Sequence, residues 1–177
     1  MIAVLIIFVC GAFVLFTYIF QPDAFRQVSV WITSRHVPEA EAKFNQLQSI
    51  LPLVENDTLF IDFVRSPKVT EARPWCISAV MRRIYGTRRL YNDVLKDYEA
   101  IFGADEWLRV QIDDPSAASS RAIWRLPNAE MELEHLNPTQ RPMNSLINWD
   151  QIDWQAYETI YYIELSLVEP SLNSCVG

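Results

Sequence analysis

Residues 75–81 read Trp75-Cys76-Ile77-Ser78-Ala79-Val80-Met81. The stretch is almost wholly apolar and suits a pleated surface covered on both sides, so it reads as a strand at the centre of a sheet. Just upstream, Thr58-Leu59-Phe60-Ile61-Asp62-Phe63-Val64 reads as a neighbouring strand, with Ser66-Pro67-Lys68 as the turn that follows it. Further back, Phe25, Val28, Val30 and Ile32 interleave with polar residues over 25–33, the pattern of one more strand. Between these, Pro38-Glu39-Ala40-Glu41 opens a helix, because proline and acids suit a first helical turn. Ala40, Phe44, Leu47 and Leu51 give that helix its apolar stripe, and Pro52 ends it.

Beyond Gly86 a similar order returns. Leu90, Val94, Leu95, Tyr98, Ile101 and Phe102 form a helical stripe that closes at Gly103. Glu106 to Ile112 and Arg121 to Leu126 read as strands. Ala129 to Leu136 fits either state, since Glu130, Glu132 and Glu134 alternate like a strand face while the composition suits a helix. Leu146, Trp149, Ile152, Tyr157 and Ile160 fit one helix face, and Tyr161 to Val168 a closing strand. The expected fold class is α+β, with two related halves around one antiparallel sheet.

Ahead of all this stands MIAVLIIFVCGAFVLFTYIF, in which no side chain is charged at neutral pH; Asp23 is the first charged one. At helical rise, Ile2 to Phe20 would run about 28 Å, close to a bilayer's hydrocarbon thickness of roughly 30 Å. No basic residue precedes the run and no small-x-small cleavage site follows it, so it reads as an uncleaved N-terminal transmembrane helix. The expected domains are a membrane anchor over 1–22, in contact with membrane lipid, and one folded domain over 23–177. Arg26, Arg35 and Lys43 lie on the long side, which places that domain in the cytosol by the basic-residue bias. Asn56-Asp57-Thr58 is a glycosylation sequon that would be used only on the opposite side.

Composition narrows the function classes. The formal net charge of -7 argues against a nucleic-acid partner, which needs a basic face. Six Trp, seven Tyr and nine Phe are ample for a packed core. Only four glycines occur, Gly11, Gly86, Gly103 and Gly177, so no glycine-rich phosphate loop exists. Cys76 and Cys175 could pair, but a cytosolic domain would leave both as free thiols. His36 and His135 have no metal-spaced partners, and Glu130, Glu132, Glu134 and His135 read as a solvated face. No nucleophile stands near a base in sequence. No catalytic residue, cofactor or metal is expected.

Ile61-Asp62, Ser66-Pro67-Lys68-Val69 and Trp75-Cys76-Ile77-Ser78-Ala79-Val80 together resemble the GyrI-like domain of the testis-expressed reticulum-autophagy (ER-phagy) receptor family. Leu95 to Val110 looks like that family's second helix running into its next strand. The chain differs at His36-Val37-Pro38-Glu39-Ala40, where the family commonly has a glycine and a tyrosine. The resemblance implies an N-terminal transmembrane helix followed by a two-half, antiparallel-sheet GyrI-like (SOUL/effector-binding type) domain. It also implies a single-pass protein of the endoplasmic reticulum doing adaptor work, with ubiquitin-like autophagy proteins as partners. The alternative is a membrane-tethered small-molecule sensor or enzyme using the cleft between the halves.

Two aromatic-x-x-aliphatic segments match the motif such partners bind by strand addition: Trp107 to Val110, preceded by Asp105 and Glu106, and Tyr162 to Leu165. Both fall in segments read as internal strands, where packing competes with binding. Arg82-Arg83 and Arg88-Arg89 flank Ile84-Tyr85-Gly86-Thr87 and form a candidate lipid-facing basic cluster.

Overall fold

The computed structural model describes residues 22–52, 56–70, 73–103, 107–112, 120–137 and 152–170. Helices α1 (Pro22–Ser34) and α2 (Val37–Ser49) lead into strands β1 (Thr58–Val69) and β2 (Cys76–Thr87). Helix α3 (Tyr91–Phe102) follows, and then come β3 (Leu108–Ile112), β4 (Arg121–Leu126) and β5 (Ala129–His135). A 3-10 turn at Trp154–Ala156 precedes β6 (Thr159–Pro170). All six strands join one antiparallel sheet in the order β1-β2-β6-β5-β4-β3. The last strand therefore inserts between β2 and β5, which leaves β2, β6, β5 and β4 in the interior of the sheet and β1 and β3 at the edges.

Alternation in the strands sends one set of side chains toward the helices. Ile77, Ala79, Met81 and Tyr85 of β2 meet Met131 and Leu133 of β5 and Tyr161, Ile163, Leu165 and Leu167 of β6 in the main core. Ala40 and Phe44 of α2 and Tyr91, Val94, Leu95, Tyr98 and Phe102 of α3 cap it. Phe102 sits between Trp107 and Trp124, with ring centroids 5.0 and 5.6 Å away. A smaller cluster on the other face joins Ile84, Leu136, Ile152 and Ile160 with Phe60, Trp154, Tyr157 and Tyr162 packed on it.

Several expectations need correction. The described residues form an α+β fold on one antiparallel sheet, and an N-terminal transmembrane helix is not among their elements. Among the described residues no helix is long and apolar enough to cross a membrane. The first one, α1, has only 13 residues and carries Asp23 and Arg26. The run Ile2–Phe20 lies outside the described residues. The stretch 25–33 is helical, not a strand. It buries Ser29 and Thr33 while exposing Val28 and Val30, so its apparent alternation does not mark a buried face. With a helix in that place, the expected first strand is not among the described elements, while a helix followed by two strands occurs twice, as α2-β1-β2 and α3-β3-β4.

Ser66-Pro67-Lys68 does not turn either. The strand runs through it with a register shift between Arg65 and Lys68 that leaves Ser66 and Pro67 unpaired, the kind of bulge on an edge strand where proline's missing donor is tolerated. Ala129–His135 resolves as a strand. Of the expected helix over 146–160, residues 146–151 lie outside the described set and the rest holds the 3-10 turn and the start of β6. Finally, Cys76 is not a free thiol but disulfide-bonded. Cys10 and Cys175 both fall outside the described residues.

Candidate binding cleft

The four arginines read as one cluster part company in the fold. Arg82 and Arg83 are adjacent in β2 and so point to opposite faces. Arg82 Nε lies 2.7 Å from Glu164 Oε2, an oxygen that also accepts from the Tyr162 hydroxyl. Arg83 reaches across to β1, donating from Nε to Asp62 Oδ1 at 2.8 Å and from Nη2 to Oδ2 at 3.3 Å. Arg89 folds back along α3, donating from Nη2 to Asp97 Oδ2 at 2.6 Å and to the Asp93 carbonyl at 3.0 Å. Hydrogen bonding to these carboxylates raises the pKa of all three guanidinium groups. Arg88 is exposed, and no ion pair engages it among the described residues.

Arg88 and Arg89 stand at the rim of an open cleft of about 430 Å³. Its walls are Asn56 and Thr58 at the entry to β1, Gly86 and Thr87 at the end of β2, and Ala156 and Tyr157 at the end of the 3-10 turn. The backbone shapes it in two ways. A register shift between Leu59 and Ile61 marks a bulge at Phe60, which re-aims that side chain. Gly86 lies directly beneath, where a Cβ would come within 2.7 Å of Phe60 Cε2 and 2.8 Å of Tyr157 Cδ1. The Phe60 and Tyr157 rings meet edge to face at 5.2 Å. Only glycine lets them close over this point of the strand.

Thr87 ties the parts together. Its hydroxyl accepts from the Arg89 N–H at 3.2 Å and its carbonyl accepts from the Glu158 N–H at 3.0 Å. Tyr157 separates the cleft from an adjoining hollow of about 270 Å³ lined by His135, Asn137, Trp154 and Glu158. His135 stacks on Tyr91 at 4.9 Å, its Nδ1 is buried without a hydrogen bond, and burial lowers its pKa. Behind the cleft, Tyr161 stacks on Tyr85 at 5.4 Å and donates its hydroxyl to Asp57 Oδ2 at 2.7 Å. Burial raises the pKa of Tyr85, Tyr98 and Tyr161, so these phenols stay protonated.

The expected strand-addition residues lie elsewhere. Trp107 is buried against Phe102, while Val110 is exposed on β3, which is an edge strand and not an internal one. Tyr162 and Leu165 belong to β6, paired on both sides by β2 and β5, and Leu165 is fully buried. Glu130 and Glu132 pair with Arg125 and Arg121 on the face away from the helices. Among the described residues no group of His, Cys, Asp or Glu is placed to hold a metal ion. Asn56, Thr58, Thr87 and Tyr157 escaped the sequence reading. The one local signal was a glycine between two arginine pairs, close in the fold to an Asn-Asp-Thr turn.

Comparison with family models, with curated proteins and with solved structures finds no match.

Proposed function

We propose that the protein is a small-molecule binding module whose cleft takes a ligand through a carboxylate or phosphate group. The observation that carries this reading is Arg88. Its three companions are spent on internal carboxylates, while it stands in an open cleft beside two threonines and an asparagine amide. Guanidinium groups are suited to oxyanions because their fork of donors matches two oxygens at once. The hydroxyl of Thr58 and the amide of Asn56 supply further hydrogen bonds, and the Tyr157 ring offers a surface for an apolar part of the ligand. A volume of about 430 Å³ suits a metabolite-sized molecule.

The Cys76 disulfide supports a domain that works in an oxidising compartment, since such bonds do not persist among reducing cytosolic thiols. A covalent bond weighs more than a bias set by three basic residues. It counts against the cytosolic adaptor reading. The burial of Trp107 and Leu165 does the same, because an added strand would need those side chains and their backbone free.

Calorimetric titration with inorganic phosphate and with a panel of carboxylates tests the proposal. Saturable binding that weakens as salt rises, and that Arg88→Ala reduces roughly 10- to 100-fold, is the expected result. Equal binding by Arg88→Ala and the wild type, or no binding to any of these anions, contradicts it.

A further inference from the structure

We propose that the outward face of α1 is a lipid-contacting surface that lies along a phospholipid membrane. Among its described side chains Ser29 and Thr33 are buried, at 5% and 0% exposure, while Val28 stands at 55% and Trp31 at 58%. A water-facing helix ordinarily shows the reverse polarity. Val28 and Trp31 stand three residues apart on this side, and the exposed Arg35 follows just past the helix end. The Arg35 guanidinium lies 3.7 Å over the Trp31 ring. An indole with an adjacent guanidinium suits the headgroup zone of a bilayer. There the ring sits among glycerol and upper acyl groups while the cation meets lipid phosphate.

The sequence before the helix names the occupant. Every residue from Ile2 to Phe20 is uncharged, and Gln21 alone separates that run from Pro22. A segment so apolar partitions into lipid in preference to water. Chain reach then holds Pro22 within about 7 Å of Phe20, so α1 begins at the surface that takes up the run. The exposed Val28 and Trp31 stripe is the part of the domain's beginning able to bury apolar area there. A second copy of this chain could also cover the stripe, and the test separates the two.

The full chain is placed in vesicles of phosphatidylcholine and phosphatidylglycerol, with and without brominated phosphatidylcholine, and tryptophan emission is compared for wild type and Trp31→Phe. Bromine quenches an indole only at close range. The expected result is that brominated lipid dims the wild type and that most of this dimming disappears in Trp31→Phe, with circular dichroism unchanged. Equal dimming in both proteins, or none in either, overturns the proposal. So does a Trp31-dependent cross-linked dimer that leaves Trp31 unquenched.

Discussion

Replacing Gly86 by alanine is expected to cost about 2 kcal/mol, for a reason that can be read off three distances. The added Cβ would lie 2.7 Å from Phe60 Cε2, 2.8 Å from Phe60 Cζ and 2.8 Å from Tyr157 Cδ1, where ordinary contacts are 3.4–4 Å. Either ring alone could swing aside. The two are pinned edge to face at 5.2 Å, and both pack on the cluster of Ile84, Leu136, Ile152 and Ile160, so one cannot retreat without driving into the other. Overpacking of this kind typically costs about 1–3 kcal/mol. Urea unfolding of wild type, Gly86→Ala, Phe60→Ala and the double variant measures it. Phe60→Ala removes two of the three short contacts and opens space into which Tyr157 can turn. In that background Gly86→Ala should cost less than about 1 kcal/mol, giving a coupling of about 1–2 kcal/mol. Strict additivity, or a Gly86→Ala protein as stable as the wild type, refutes the reasoning.

Trp107→Ala should lower stability by about 3 kcal/mol, as the loss of a buried aromatic does, and chemical denaturation measures it. Tyr98 and Tyr161 stay protonated when folded, whereas unfolded phenols ionise near pH 10. The phenols' contribution to stability is therefore complete below pH 10, and above it stability falls by about 1.4 kcal/mol per pH unit for each phenol; unfolding midpoints between pH 9 and 11 check this. Burial lowers the pKa of His135, so the unfolded state binds its proton first as pH falls. Stability should then decline below about pH 6.5, and His135→Phe, which keeps the stack on Tyr91, should flatten that limb in the same assay. Reduction with dithiothreitol should cost about 2–4 kcal/mol and free a thiol that peptide mapping locates at Cys76.

What could be read from the residues was mostly local. The stripe Val94, Leu95, Tyr98 and Phe102 repeats at helical spacing and packs as such in α3, because periodicity and burial agree there. The apolar run after Trp75 is an interior strand, flanked by β1 and β6, though one place from the edge and not at the middle of the sheet. Helix α1 defeated the same logic. Among its described side chains the buried ones are Ser29 and Thr33, which hydrophobicity does not mark. Pro67 looked like a turn because the edge position that tolerates it depends on which strands pair, and pairing is non-local. The insertion of β6 between β2 and β5 joins residues such as Arg82 and Glu164 across most of the domain, and no local pattern encodes that. The arginine cluster dissolved for a related reason. Adjacent residues in a strand face opposite ways, and the acids that neutralise Arg82 and Arg83 come from other strands. The cleft was hidden because its walls meet only after β1, β2 and the segment before β6 are brought together.

Binding at the cleft is tested most directly by amide chemical shifts of the ¹⁵N-labelled protein during titration with phosphate and with carboxylates. Saturable shifts confined to Thr58, Thr87, Arg88, Arg89 and Tyr157, and absent in a folded Arg88→Ala protein, are the predicted result. Shifts scattered elsewhere, or unchanged by Arg88→Ala, would contradict it.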